Sequence, residues 1–259
     1  MMKNSKRTES NISVDLDEPL TGESCSQLVM ELVKYVMYQK QQIPLSCDSL
    51  MKLHKTSKST DRNFSLMQKL VDSLANVSHQ LNSQFARNEC DVKEILIIIG
   101  ATTFSPKLCI RIELPYSILS SRNHSSCHHS SRKILLNVMK SMLNCEEFQQ
   151  EMTVPLGLTN TFVLVQKRDS RKISEYFVPK PQFNFSSQNT ASFLIKLNYN
   201  GGNEFNCNCG NLIRVFNDFD QNCYDDDSEN VEKCDNDVSE IPYQWYQSKD
   251  ILKGFKFLR

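Results

Sequence analysis

The sequence predicts an α+β fold, three helices packed on a mainly antiparallel sheet, and three observations carry it. Apolar residues in 26–42, 60–88 and 132–149 recur at three and four positions, the spacing of a helix with one buried stripe. Short apolar segments follow, broken by Pro, Asn or Gly-Gly. Helices first and a β-rich half after them favour helices layered on an antiparallel sheet over alternating βαβ units.

Residues 1–23 (MMKNSKRTESNISVDLDEPLTGE) read as a disordered polar tail with no apolar core of a secretory leader. Leu28, Val29, Leu32, Val33, Val36 and Met37 make the stripe of a first helix, 26–42, which Pro44 ends. On a helical wheel started at Leu28, Gln39 falls at about 20°, inside that stripe. A neutral amide there either reaches solvent where the helix end frays or meets a partner whose backbone it can hydrogen-bond. Leu66, Met67, Leu70, Val71, Leu74, Val77, Leu81 and Phe85 define a second helix, 60–88, with Ser57, Thr60 and Asp61 as candidate N-caps. EILIII at 94–99 is a continuous apolar run, the mark of a central strand buried on both faces. Leu108, Ile110, Ile112 and Leu114 alternate with polar residues as its half-buried neighbour.

The stretch 115–131 reads as a loop, and Ile134, Leu135, Val138, Met139, Met142 and Leu143 line a third helix, 132–149. Strands are expected at 162–166, 173–178, 193–197 and 212–216. Residues 217–240 carry ten acids against Lys233, a solvated acidic insertion. The last nineteen residues regain aromatic character and hold the single Trp, Trp245. One domain over 24–259 is the expected organisation.

Lys+Arg 30 against Asp+Glu 30 leaves no net charge, so nothing global draws the chain to nucleic acid or anionic membrane. Only 7 Gly, and neither GxGxxG nor GxxxxGK[ST], argue against a nucleotide fold. Ile95–Ile99 is the longest aliphatic run, far short of the roughly 20 residues of a membrane span. Ten Cys and Asn-x-Ser sequons at Asn11, Asn63, Asn76, Asn123 and Asn184 hint at an ectodomain. The polar N-terminus weighs against it, so reduced thiols in cytosol or nucleus are expected.

Metal and catalytic patterns are weak. His124-x-x-Cys127-His128-His129 offers four ligands, but adjacent residues rarely converge tetrahedrally. Cys207, Cys209, Cys223 and Cys234 lack knuckle spacing. Asp218, Asp220, Asn222 and Glu229 fit a calcium loop except that Cys223 stands where Gly makes the turn. No GxSxG is present, and His54 and His79 lie on a loop edge and a polar helix face. No catalytic residue, metal or cofactor is expected; the alternative kept open is a metal-binding protein or zinc hydrolase using the 124–129 cluster.

Four blocks carry a family resemblance: ELVKYVMYQKQQIPLSCDSLMKL (31–53), EILIIIGATTFSPK (94–107), YFVPKP (176–181) and WYQSKDILKGF (245–255). In residues and order the chain resembles the comet proteins, the Mad-two-binding family of the spindle assembly checkpoint, over about 20–259. The resemblance implies a HORMA-like fold with a C-terminal safety-belt segment. It implies a non-enzymatic adaptor that binds closed Mad-two through its third helix and delivers it to a hexameric AAA+ ATPase. That step would disassemble the mitotic checkpoint complex and silence the checkpoint. It further implies that Gln39 and Leu135 contact closed Mad-two and that Pro179 and Lys180 touch the ATPase. Residence in nucleus and cytoplasm, and at spindle or kinetochore in mitosis, follows from the same resemblance. The chain departs from the family in its shorter N-terminal tail, the His-rich loop near 124, the acidic insertion, and a Leu at 135 in place of an aromatic residue.

Overall fold

The computed structural model describes residues 9–18, 20–85, 90–115, 131–169, 175–185, 190–199 and 242–258. Along the chain these form β1 (Ser10–Leu16), α1 (Gly22–Gln39), α2 (Cys47–Thr56), α3 (Phe64–Phe85), β2 (Cys90–Gly100), β3 (Pro106–Glu113), α4 (Ser131–Asn144) and α5 (Glu146–Thr153). β4 (Asn160–Asp169), β5 (Phe177–Pro179), β6 (Ala191–Tyr199), β7 (Gln244–Ser248) and β8 (Leu252–Lys253) complete the described set. The strands join one sheet in the order β1-β6-β3-β2-β4-β7-β5, with β8 on β4. β6 pairs in parallel with β1 and β3, and the other pairings are antiparallel.

β2 occupies the middle, as its continuous apolar run requires. Ile95, Ile97 and Ile99 enter the core beneath the helices, beside Val33, Val77, Leu81, Val138 and Met142. Leu96 and Ile98 enter a second core on the opposite face, with Cys109, Phe162, Leu164, Phe183 and Trp245. Period-two geometry sends successive side chains to opposite faces, so an unbroken apolar strand must be covered twice.

The helix count is corrected from three to five, and several ends move. α1 begins at Gly22 because Thr21 and Ser24 form a capping box: Ser24 N donates to Thr21 Oγ1 at 3.1 Å and Thr21 N to Ser24 Oγ at 2.9 Å. Gly22 is required there, since a Cβ would lie 2.7 Å from Phe85 Cβ. α1 stops at Gln39 rather than at Pro44, because Gln41 takes a left-handed φ of 54° and turns the chain. α2 was not foreseen; Cys47 and Leu50 alone are buried, too few for a legible stripe. The candidate caps Ser57 and Asp61 serve the α2–α3 connection, Ser57 Oγ donating to Leu53 O at 2.8 Å and Asp61 accepting from Lys58 N at 3.0 Å. The expected third helix breaks at Cys145, whose backbone is extended, into α4 and α5.

The expected tail at 1–23 is also corrected. Residues 10–16 form β1, with Ile12, Val14 and Leu16 buried and Asn11, Ser13 and Asp15 exposed. Parallel pairing of Ser10 to Leu16 with Phe193 to Tyr199 bonds one side of its backbone and helps offset the cost of ordering it. The strand expected at 173–178 is shorter and later, Phe177–Pro179. Residues 212–216, the acidic insertion and the first eight residues lie outside the described part of the chain. The aromatic C-terminus supplies β7 and β8, and Asn63 holds its end: Leu258 N donates to Asn63 Oδ1 at 2.7 Å.

Candidate partner-binding surfaces

α4 turns Ile134, Val138 and Met142 into the core, which leaves its flanks outward. Leu135 and Met139 are half-buried, whereas Leu136 is 57% and Leu143 45% exposed. Across from them α1 presents half-buried Tyr35 and Tyr38, the latter 47% exposed. A cleft of about 250 Å³ runs between α1, α2 and α4, lined by Tyr35, Tyr38, Cys47, Leu135 and Met139 and edged by the Glu31–Lys34 pair at 2.6 Å. Burial raises the Tyr35 phenol and pushes the Cys47 thiol up to about 11, against the opposing pull of Lys34, so both lie neutral near pH 7. The cleft is an apolar recess with polar edges.

Gln39 ends α1 one helical turn beyond Tyr35, beside that cleft and half-buried. Its side-chain amide makes no hydrogen bond among the described residues. Leu135 on α4 lines the cleft; Gln39, at the end of α1, is half-buried next to the lining residue Tyr38 and is not itself part of the lining.

The end of α1 is held by two residues that the sequence reading passed over, Lys40 and Gln42, both fully buried. Lys40 Nζ donates to Glu151 Oε1 at 2.8 Å, to Val154 O at 2.9 Å and to Glu151 O. Gln42 Nε2 donates to Lys40 O at 3.0 Å and Leu156 O at 3.2 Å, while Gln42 Oε1 accepts from Thr159 N at 2.8 Å. Phe255 N donates to Gln42 O at 2.8 Å, and a Cβ on Gly254 would stand 2.8 Å from Gln42 Oε1. MYQKQQIP and WYQSKDILKGF, far apart in sequence, are therefore two sides of one joint. A Lys and two Gln crowded against a helix end were the available signal, because buried polar groups need fixed partners.

Pro179 and Lys180 lie at the far edge of the sheet. Pro179 closes β5 and pairs with Tyr246, a position that suits a residue without an N–H. Lys180 follows in the turn, its N donating to Trp245 O at 2.8 Å. A strand over 173–178 would leave both beyond its end; Pro179 is instead the last residue of β5. α4 packs against β1, the opposite edge, so the two surfaces stand apart across the sheet.

Cys25, Cys47, Cys109 and Cys145 are free thiols. The clusters at 124–129, at Cys207 to Cys234 and at Asp218 to Glu229 lie outside the described residues. Among the described residues no three His, Cys, Asp or Glu side chains gather as a metal site, and no helix is long and apolar enough to cross a membrane.

Helices layered on one face of a mainly antiparallel sheet, with a C-terminal segment that adds β7 and β8 to β4, define a HORMA-like domain. The chain belongs to the p31comet family, described as Mad1 and Cdc20-bound-Mad2 binding, whose model matches residues 3–195. Relatives named MAD2L1-binding protein, from Homo sapiens and Mus musculus, are each 27% identical over 188 residues. The alignments cover 66% of this chain and 64% and 63% of those proteins, so the chain spans a little under two thirds of their length.

Proposed function

We propose that the chain is a non-enzymatic adaptor that binds closed Mad2 and delivers it to the checkpoint AAA+ ATPase. In this role it dismantles the mitotic checkpoint complex and silences the spindle assembly checkpoint, acting in nucleus and cytoplasm and at spindle or kinetochore in mitosis. The observation that carries the reading is the outward face of α4 and α1: half-buried Leu135 and Met139 and exposed Tyr38 line a recess, and Gln39, next to Tyr38, has an amide without a hydrogen bond among the described residues. Adjacent apolar side chains at the surface of a monomer favour association, and an amide at their margin adds register. Membership of a family described by Mad2 binding supports the choice of partner. Pro179 and Lys180 on the opposite edge support a second, simultaneous partner, with Lys180 offering a charge to an acidic rim.

Size-exclusion chromatography with closed and open Mad2, followed by calorimetry, tests the reading. The expected result is co-elution with the closed form alone, through an interface of about 1,600 Å². Equal affinity for both conformers, or for neither, overturns it.

A further inference from the structure

The most exposed large apolar side chain among the described residues is Phe104, at 70%. It stands on the β2–β3 hairpin, within the EILIIIGATTFSPK block and outside the α1–α4 face, with most of its ring open to solvent. The turn beneath it is tied by hydrogen bonds. Thr102 Oγ1 accepts from Phe104 N at 3.3 Å and Ser105 N at 3.2 Å, and it meets Ser105 Oγ at 2.9 Å. Gly100 permits the close return, since a Cβ there would lie 2.5 Å from Ser105 O. An aromatic ring held in water on a fixed turn loses hydrophobic free energy and little further entropy on being covered, which is the profile of an anchor.

A ladder of rings ties this anchor to the far-edge surface. Phe104 meets Phe183 edge-on at 6.0 Å, and Phe183 meets Trp245 edge-on at 5.9 Å. The same residues fix Lys180, whose O accepts from Phe183 N at 3.0 Å and whose N donates to Trp245 O at 2.8 Å. Phe183 and Trp245 belong to the core on the sheet face away from the helices, so Phe104 projects from that side and not from the α1–α4 face.

We infer that Phe104 is the apolar anchor of the surface whose cation is Lys180, and that its occupant is the AAA+ ATPase, through an apolar recess with an acidic rim. The inference rests on the proposed ATPase role of Pro179 and Lys180. It adds a residue that this role did not include and explains what the ring ladder is for: it holds a hydrophobic contact and a charge in fixed relation.

The test compares the parental chain, Phe104→Ala, Phe104→Leu and the double variant Pro179→Ala/Lys180→Ala. Each is bound to closed Mad2 and titrated with the ATPase hexamer loaded with a non-hydrolysable ATP analogue. Phe104→Ala is expected to weaken ATPase binding at least about tenfold, with Tm and closed-Mad2 affinity unchanged, and Phe104→Leu to recover most of the loss. If the double variant loses binding while Phe104→Ala binds like the parent, the inference falls and the proposed adaptor role stands. If no variant differs, or the parental complex fails to bind the hexamer, both fall. A change confined to self-association of the chain in sedimentation would assign the ring to contacts between copies and overturn the inference.

Discussion

Gln39 and Leu135 are proposed contacts of different kinds, an amide without a hydrogen bond among the described residues and a leucine held half out of the core. Interface energy concentrates in a few central residues, so Gln39→Ala with Leu135→Ala is expected to weaken closed-Mad2 binding at least about tenfold, roughly 1.4 kcal/mol. Calorimetry beside thermal melts checks it, and unchanged affinity would remove both residues from the interface. Lys40 behaves differently because its ammonium is sealed inside the fold. Lys40→Met keeps the packing yet takes the donor from Glu151 Oε1, Glu151 O and Val154 O. Breaking a buried pair from one side costs about 3–5 kcal/mol, readable as a loss of urea-unfolding free energy; a loss below about 1 kcal/mol would mean the pair is effectively solvated. Of these residues, Gln39 was legible as a polar intruder on an apolar stripe. Lys40 and Gln42 were not, because their partners lie more than a hundred residues away.

Among the elements, β2, β3 and α3 could be read because each carries its burial pattern in its own residues: an unbroken run for two cores, an alternation, and a long stripe. β1 carried a pattern too, Ile12, Val14 and Leu16 at period two, but embedded in a charged segment it resembled a tail. Its order comes from β6, which no local reading can supply. The distinction is measurable through the alternation of its faces. Val14→Asp places a charge among core side chains and is expected to cost more than about 2 kcal/mol. Asn11→Asp, on the exposed face, should stay within about 0.5 kcal/mol. Chemical denaturation of the two variants separates a strand from a tail, since equal and negligible effects would return residues 10–16 to the solvent. α2 escaped notice for the opposite reason: with two buried residues in ten it has almost no pattern to read.

At the scale of the whole molecule, the α+β fold class followed from the order of apolar periodicities, whereas the closing contacts did not. β7 and β8 draw their place from pairing with β4 and β5, and the C-terminal residues from Gln42 and Asn63. Such contacts connect the chain's extremes: Glu9 to Ser192 across 183 positions, Asn63 to Leu258 across 195. Fixing distant residues first requires closing large loops, which slows folding. A nascent chain leaving the ribosome therefore cannot shelter its first strand until β6 has emerged, nor seal the end of its first helix until residue 255 is free of the exit tunnel. Throughout most of synthesis β1 and the outer side of β4 stand as bare edges, the kind of surface that recruits chaperones or pairs with other chains. The same joint that closes the domain makes its completion depend on residues 244–255, and a chain interrupted before them would leave the outer side of β4 unpaired and the end of α1 unsealed.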